Sequence, residues 1–174
     1  MRATLIHAPG DIRSEIVADP VLSTGGDAIV RVVASCVCGS DLWPYRGVTP
    51  TQEPKRIGHE YVGIVEQVGQ DVTTLAVGDF VIAPFYVCCG ACLNCRNGVS
   101  TSCLQGGWWG SQVRELGFAD GGQGEQVRVP LADGTLFNVT AAIGGQPDSA
   151  LIPGLLALSD VMGTGHHAAV SAGV

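Results

Sequence analysis

The sequence predicts a mainly-β body that carries a cysteine-rich lobe and ends in short helices. Three observations lead there: short Val- and Ile-rich runs bounded by Gly, Pro or Asp, four cysteines packed into one short segment, and a late stretch of apolar residues at helical spacing. A length of 174 residues allows one hydrophobic core and is short for two full-sized domains, so residues 1–174 read as one domain with the lobe at 89–103 inside it.

In chain order, residues 3–7, 12–18, 28–37, 61–68, 80–83 and 126–129 read as strands, because β-branched residues favour the pleated backbone and turn residues close each run. The 25 glycines are spread through turns such as Gly25-Gly26, Gly106-Gly107 and Gly121-Gly122 and form neither a linker nor a repeat. From Pro147 onward the character changes. Ala150, Leu151, Leu155, Leu158 and Val161, followed by Ala168, Ala169 and Ala172, fit the faces of two short helices. Pro153 and the glycines at 154, 163 and 165 are expected to interrupt any continuous helix.

Composition excludes several functions. The formal charge is -7 and Lys55 is the only lysine, so no basic stripe exists to neutralise a phosphate backbone or an anionic bilayer, and neither nucleic acid nor membrane is an expected partner. The first residues, MRATLIHAPGDIRSE, contain no apolar core of a secretion signal, and the apolar runs stop short of membrane-spanning length. A cytoplasmic protein is expected. There, seven cysteines are better read as thiols or metal ligands than as disulfides, and an odd number cannot all pair.

Residues 89–103 read CGACLNCRNGVSTSC. The spacing lets short loops, with Gly90, Asn97 and Gly98 at the turns, bend Cys89, Cys92, Cys95 and Cys103 around one tetrahedral zinc at Zn–S distances of about 2.3 Å. The rival reading is a set of buried free thiols. Four thiolates leave no open position for water or substrate, so this zinc would be structural. Two negative charges would remain in excess, requiring loop N–H groups and Arg96 to compensate. Cys88 lies beside the pattern and outside it.

A second set of candidate residues is scattered: Cys38 in CGSD, His59-Glu60 in IGHEYVG, and Asp160 in LSDVMGTG. Singly, each is weak. Together CVCGSD, GHEYVGIVEQVG, VGDFVIAP, the four-cysteine lobe and DGGQGEQVRVP resemble, in order, the medium-chain zinc alcohol dehydrogenases. The resemblance implies a GroES-like, partly open β-barrel with a catalytic zinc on Cys38, His59 and Asp160, and with Glu60 as an exchangeable ligand or a group behind the ligands. Alcohol dehydrogenase is also the standard example of a Cys2His catalytic zinc, and Asp160 departs from it by standing where the second cysteine would be. The exchange preserves the charge of the site and makes its donor set harder.

By the same resemblance Ser40 would take the proton of the alcohol; capping of a short helix in SDLWPYRG is the other reading of that serine. Trp43 stands where several relatives carry the histidine that ends the relay. The implied activity is oxidation of an alcohol, or reduction of its carbonyl, with NAD or NADP held by a Rossmann domain that residues 1–174 do not contain. The chain alone is therefore expected neither to bind a nicotinamide nor to turn over, and to self-associate through the face left uncovered. Two rivals are a non-catalytic zinc module for assembly and a zinc-free quinone oxidoreductase relative; the lobe and Cys38 oppose the second.

Three further patterns are set aside. Gly163 to Ala168 fits G-x-G-x-x-A, but no strand leads into it and no acidic residue follows at the ribose-binding spacing. Asn138-Val139-Thr140 is a glycosylation sequon without a secretion signal. His166 and His167 are neighbours about 100° apart on a helix, so they cannot both face Asp160.

Overall fold

The computed structural model describes all residues 1–174. Twelve strands form its body: β1 (Arg2–Ala8), β2 (Asp11–Ile16), β3 (Ala28–Ser35), β4 (Lys55–Arg56), β5 (Tyr61–Val68), β6 (Phe80–Ala83), β7 (Tyr86–Val87), β8 (Gly107–Trp108), β9 (Ser111–Gln112), β10 (Phe118–Ala119), β11 (Gln126–Val129) and β12 (Phe137–Asn138). The helices are short: α1 (Leu42–Tyr45), α2 (Leu93–Arg96), α3 (Ala132–Thr135), α4 (Val139–Ile143), α5 (Ile152–Ala157) and α6 (Val161–Ala172).

A five-stranded sheet in the order β11-β3-β5-β6-β12 is the centre, flanked by a three-stranded sheet β2-β1-β4, and every pairing is antiparallel. The arrangement is the mainly-β, partly open barrel that the sequence predicts. Strands 61–68, 80–83 and 126–129 fall on their expected bounds, whereas β2 stops at Ile16 and β3 at Ser35, two residues early in each case. In β3, Ala28, Ile29 and Val30 are buried in succession, and beyond Ser35 the chain leaves the sheet and brings Cys38 toward His59.

The core joins Val30, Val65, Val81, Val127 and Val129 to Tyr61, whose ring meets Trp109 edge-on at 5.4 Å. Gly63 lies where β5 and β3 slip in register, and a Cβ there would overlap the Arg31 carbonyl, so the GHEYVG run needs glycine at its sixth place. Beneath the barrel the buried carboxylate of Asp27 pairs with Arg128 at 2.9 Å and accepts the N–H groups of Ser23 and Thr24 and the Thr24 hydroxyl. Arg128 also donates to the Leu116 and Phe118 carbonyls, so no charge in this pair is left unpartnered.

On the outer face a second cluster of Val62, Phe80, Ile82 and Val139 receives Ile152, Leu155 and Leu156 of α5. One expectation fails here: α6 runs unbroken through Gly163 and Gly165 and ends at Gly173 in a left-handed conformation. Helical glycine costs about 1 kcal/mol relative to alanine, which weakens a helix without stopping it, and Ala168, Ala169 and Ala172 are the best helix formers. No helix is long and apolar enough to cross a membrane.

Candidate metal centre

The lobe's four cysteines converge. Their sulfur atoms all lie within 4.8 Å of one another, with Cys92–Cys95 and Cys89–Cys103 at 3.5 Å and Cys92–Cys103 at 3.8 Å. A tetrahedron with Zn–S bonds of about 2.3 Å has edges of about 3.8 Å, so the donor set has the composition and the spacing, to within a few tenths of an ångström for these three pairs, of a four-thiolate zinc site. Backbone N–H groups of Cys89, Cys92, Leu104 and Gln105 point at the sulfurs from 3.3 to 3.5 Å. The amides of Cys95 first and Leu104 second pull the Cys92 thiol down to about 6. These amides direct partial positive charge at the sulfurs, whereas Arg96, at the end of α2, donates to none of them.

Cys88 is not among the four converging donors; its thiol donates to the Gly134 carbonyl at 2.9 Å. A Cβ at Gly134 would overlap the backbone of Cys88 and Cys89, so the glycine in α3 lets the root of the lobe lie directly against the barrel.

The scattered residues converge as well. Cys38 follows β3, His59 and Glu60 precede β5, Asp160 separates α5 from α6, and their donor atoms again fall within 4.8 Å of one another. Cys38 Sγ is 3.8 Å from Asp160 Oδ2; His59 Nε2 is 3.7 Å from the same oxygen and 3.8 Å from Glu60 Oε1. Edges of a tetrahedral zinc site with S, N and O donors are about 3.3–3.6 Å, so this set is slightly wider than a loaded one and of the right composition.

Each donor is held from behind. The apolar face of α5 seats the C-terminal segment on the sheet, and the Phe85 N–H donates to the buried Ser159 carbonyl at 3.1 Å, which fixes the residue before Asp160. Asp160 Oδ1 accepts the Thr164 hydroxyl at 3.2 Å, leaving Oδ2 to face the cluster. Asp41, which the sequence reading left unassigned, turns Oδ1 toward His59 Nδ1 at 3.4 Å while Oδ2 accepts the Cys38 N–H at 2.9 Å. With Nδ1 so engaged, Nε2 is the imidazole atom presented to the cluster. Asp41 is also the main reason His59 is pushed up to about 9; burial opposes the shift and Cys38 adds to it. Its one sequence signal was the position three residues after Cys38, at the end of a one-turn 3-10 helix over Gly39–Asp41.

Ser40 sits in the middle of that turn and caps nothing. Its Oγ lies 3.4 Å from His59 Nε2, on the rim of the donor set. Trp43 is 57% exposed and His166 and His167 are exposed on α6, none of them directed at the cluster. The G-x-G-x-x-A string lies wholly inside α6, where no strand-to-helix turn exists to cradle a phosphate, and Asn138 caps α4 through the Ala141 N–H at 2.9 Å.

Comparison with known proteins places the chain in a family. Residues 24–139 match the family model described as the alcohol dehydrogenase GroES-like domain. Zinc-type alcohol dehydrogenase B of Aspergillus flavus is 34% identical over 99% of this chain and 37% of its own length. The glutathione-independent formaldehyde dehydrogenase of Pseudomonas aeruginosa is 40% identical over 84% of this chain and 37% of its own. Among solved structures, an alcohol dehydrogenase from Thermus sp. ATN1 superposes with a TM-score of 0.72 at 36% identity, covering 79% of this chain and 40% of that one. The chain thus spans less than half the length of these relatives.

Proposed function

The chain belongs to the zinc-type alcohol dehydrogenase family through its GroES-like domain, and from that premise we propose that it is the metal-bearing catalytic part of an NAD(P)-dependent alcohol dehydrogenase. The observation that carries this reading is the meeting of Cys38, His59, Glu60 and Asp160 from three separate segments around one point. Zinc on Cys38, His59 and Asp160 would supply Lewis-acid polarisation of an alcohol or carbonyl oxygen. Cys38 and Asp160 bring two negative charges and His59 none, which balances a divalent ion and leaves one coordination position to the substrate.

Ser40, whose Oγ lies 3.4 Å from His59 Nε2, would take the proton of the alcohol as it releases its own toward cofactor and solvent. Trp43 cannot carry that proton onward as a histidine would, because an indole N–H only donates. Asp41 orients His59, and the lobe, with a second zinc on Cys89, Cys92, Cys95 and Cys103, is structural. We assign the nicotinamide to a Rossmann domain, a reading supported by the antiparallel pairing of the sheets and by the helical setting of the Gly163–Ala168 string.

Metal analysis with X-ray absorption tests the reading. About two zinc ions per chain are expected, one among four sulfurs and one with mixed S, N and O neighbours. A single zinc with only sulfur neighbours would overturn the open centre and leave the lobe standing.

A further inference from the structure

Glu60 is an unusual buried group. It is 2% exposed and forms no contact with an arginine or lysine, and its carboxylate receives one hydrogen bond, from the Cys36 thiol to Oε2 at 2.9 Å. The other oxygen, Oε1, faces the metal-binding set, 3.8 Å from His59 Nε2. Cys36 is itself fixed at both ends: its N–H donates to the Glu60 carbonyl at 3.2 Å, and its carbonyl accepts the Gln123 amide at 3.2 Å. The thiol is thus aimed, and its sulfur is not one of the four converging donors.

A buried carboxylate beside a divalent cation is drawn into coordination unless something holds it back, because the ion is the strongest partner within reach. We propose that Cys36 is a positioning residue: its S–H holds Glu60 by one oxygen beside the zinc, as a standby carboxylate outside the ligand set. The proposal rests on the metal-centre reading above. With Oε2 engaged, Glu60 cannot chelate through both oxygens, and sharing charge with the thiol makes Oε1 a poorer ligand. The open centre then keeps its neutral charge balance. Entry of Glu60 would add a negative charge and oppose proton loss from the substrate alcohol.

The test replaces zinc by cadmium and follows the cadmium NMR signals, in which a four-sulfur site and a mixed site resonate separately. In Cys36→Ala the mixed-site signal should move toward values of oxygen-richer coordination, and cadmium affinity there should rise on the order of tenfold, the lower end of the effect of groups behind a ligand. The four-sulfur signal should stay in place, reporting an intact fold. Cys36→Ser, which keeps a donor, should restore the original signal, and adding Glu60→Gln to Cys36→Ala should abolish the shift. A mixed-site signal unmoved in Cys36→Ala overturns the positioning role alone. Absence of any mixed-site signal in the unaltered protein overturns the metal centre and this role with it.

Discussion

Asp41 joins two of the three segments that build the open centre, with one oxygen on the His59 ring and the other on the Cys38 N–H. Asp41→Ala is expected to lower zinc affinity at that centre by about 10–100-fold with the four-cysteine site unaffected, as read by chelator competition. Asp160→Ala should lose the same zinc more completely, since it deletes a donor. Unchanged affinity in that variant, with loss in Glu60→Ala, would hand the third position to Glu60. The donors were legible in the sequence because their types are rare and their order matches a known family, whereas Asp41 was not: an aspartate three residues after a cysteine looks like any turn residue until the histidine is seen behind it. Asp27 was hidden for a similar reason. Burial pushes its carboxyl up, but the Thr24 hydroxyl, Arg128 and the backbone amides of Ser23 and Thr24 outweigh that and hold it below its ordinary value. A depressed carboxyl contributes its full stability above the unfolded-state value near about 4 and loses it as pH falls through the folded-state value. Urea midpoints should therefore drop steeply below about pH 4, and Asp27→Ala, which strands buried Arg128, should cost about 3–5 kcal/mol at neutral pH.

At the scale of elements, α6 offers the cleanest test of why the glycine expectation failed. Nothing lies within 4 Å of a Cβ built at Gly163 or Gly165, and neither has a positive φ, so alanine at both should stabilise the helix by about 1–2 kcal/mol in total, measured by thermal unfolding. A loss of stability would mean that these glycines serve an approach by another surface. The long strands were readable because a continuous β-branched run between turn residues has few alternatives. Two-residue strands such as β7, β8, β9 and β10 were not, since they form only where barrel and lobe already hold the chain. Likewise, the apolar spacing of Ala150, Leu151, Leu155, Leu158 and Val161 announced a helix but misjudged its face: of these only Leu155 packs on the cluster of Val62 and Ile82, beside Ile152 and Leu156, while Leu151, Leu158 and Val161 are exposed.

For the whole molecule, two expectations can be measured together. Titration calorimetry of residues 1–174 with NAD+ and NADP+ should show no binding; micromolar affinity would overturn the assignment of the cofactor to other residues. Val161, Met162 and Val170 are 57%, 54% and 61% exposed and spread around about half the circumference of α6, and light scattering over a concentration series should reveal self-association through this apolar surface. A strictly monomeric chain would remove the role given to it. The two cysteine-bearing centres also differ in how far apart along the chain their donors lie. Cys89 and Cys103 are 14 residues apart, whereas Cys38 and Asp160 meet across 122. Closing the longer loop costs more chain entropy and has to wait for β3, β5 and α5 to dock. On the proposed two-zinc assignment, the lobe would capture its ion before the barrel is complete, and the open centre would be the last place to form. Refolding in limiting zinc should fill the four-sulfur site first, so occupancy of the mixed site serves as a timer that marks the completion of the barrel.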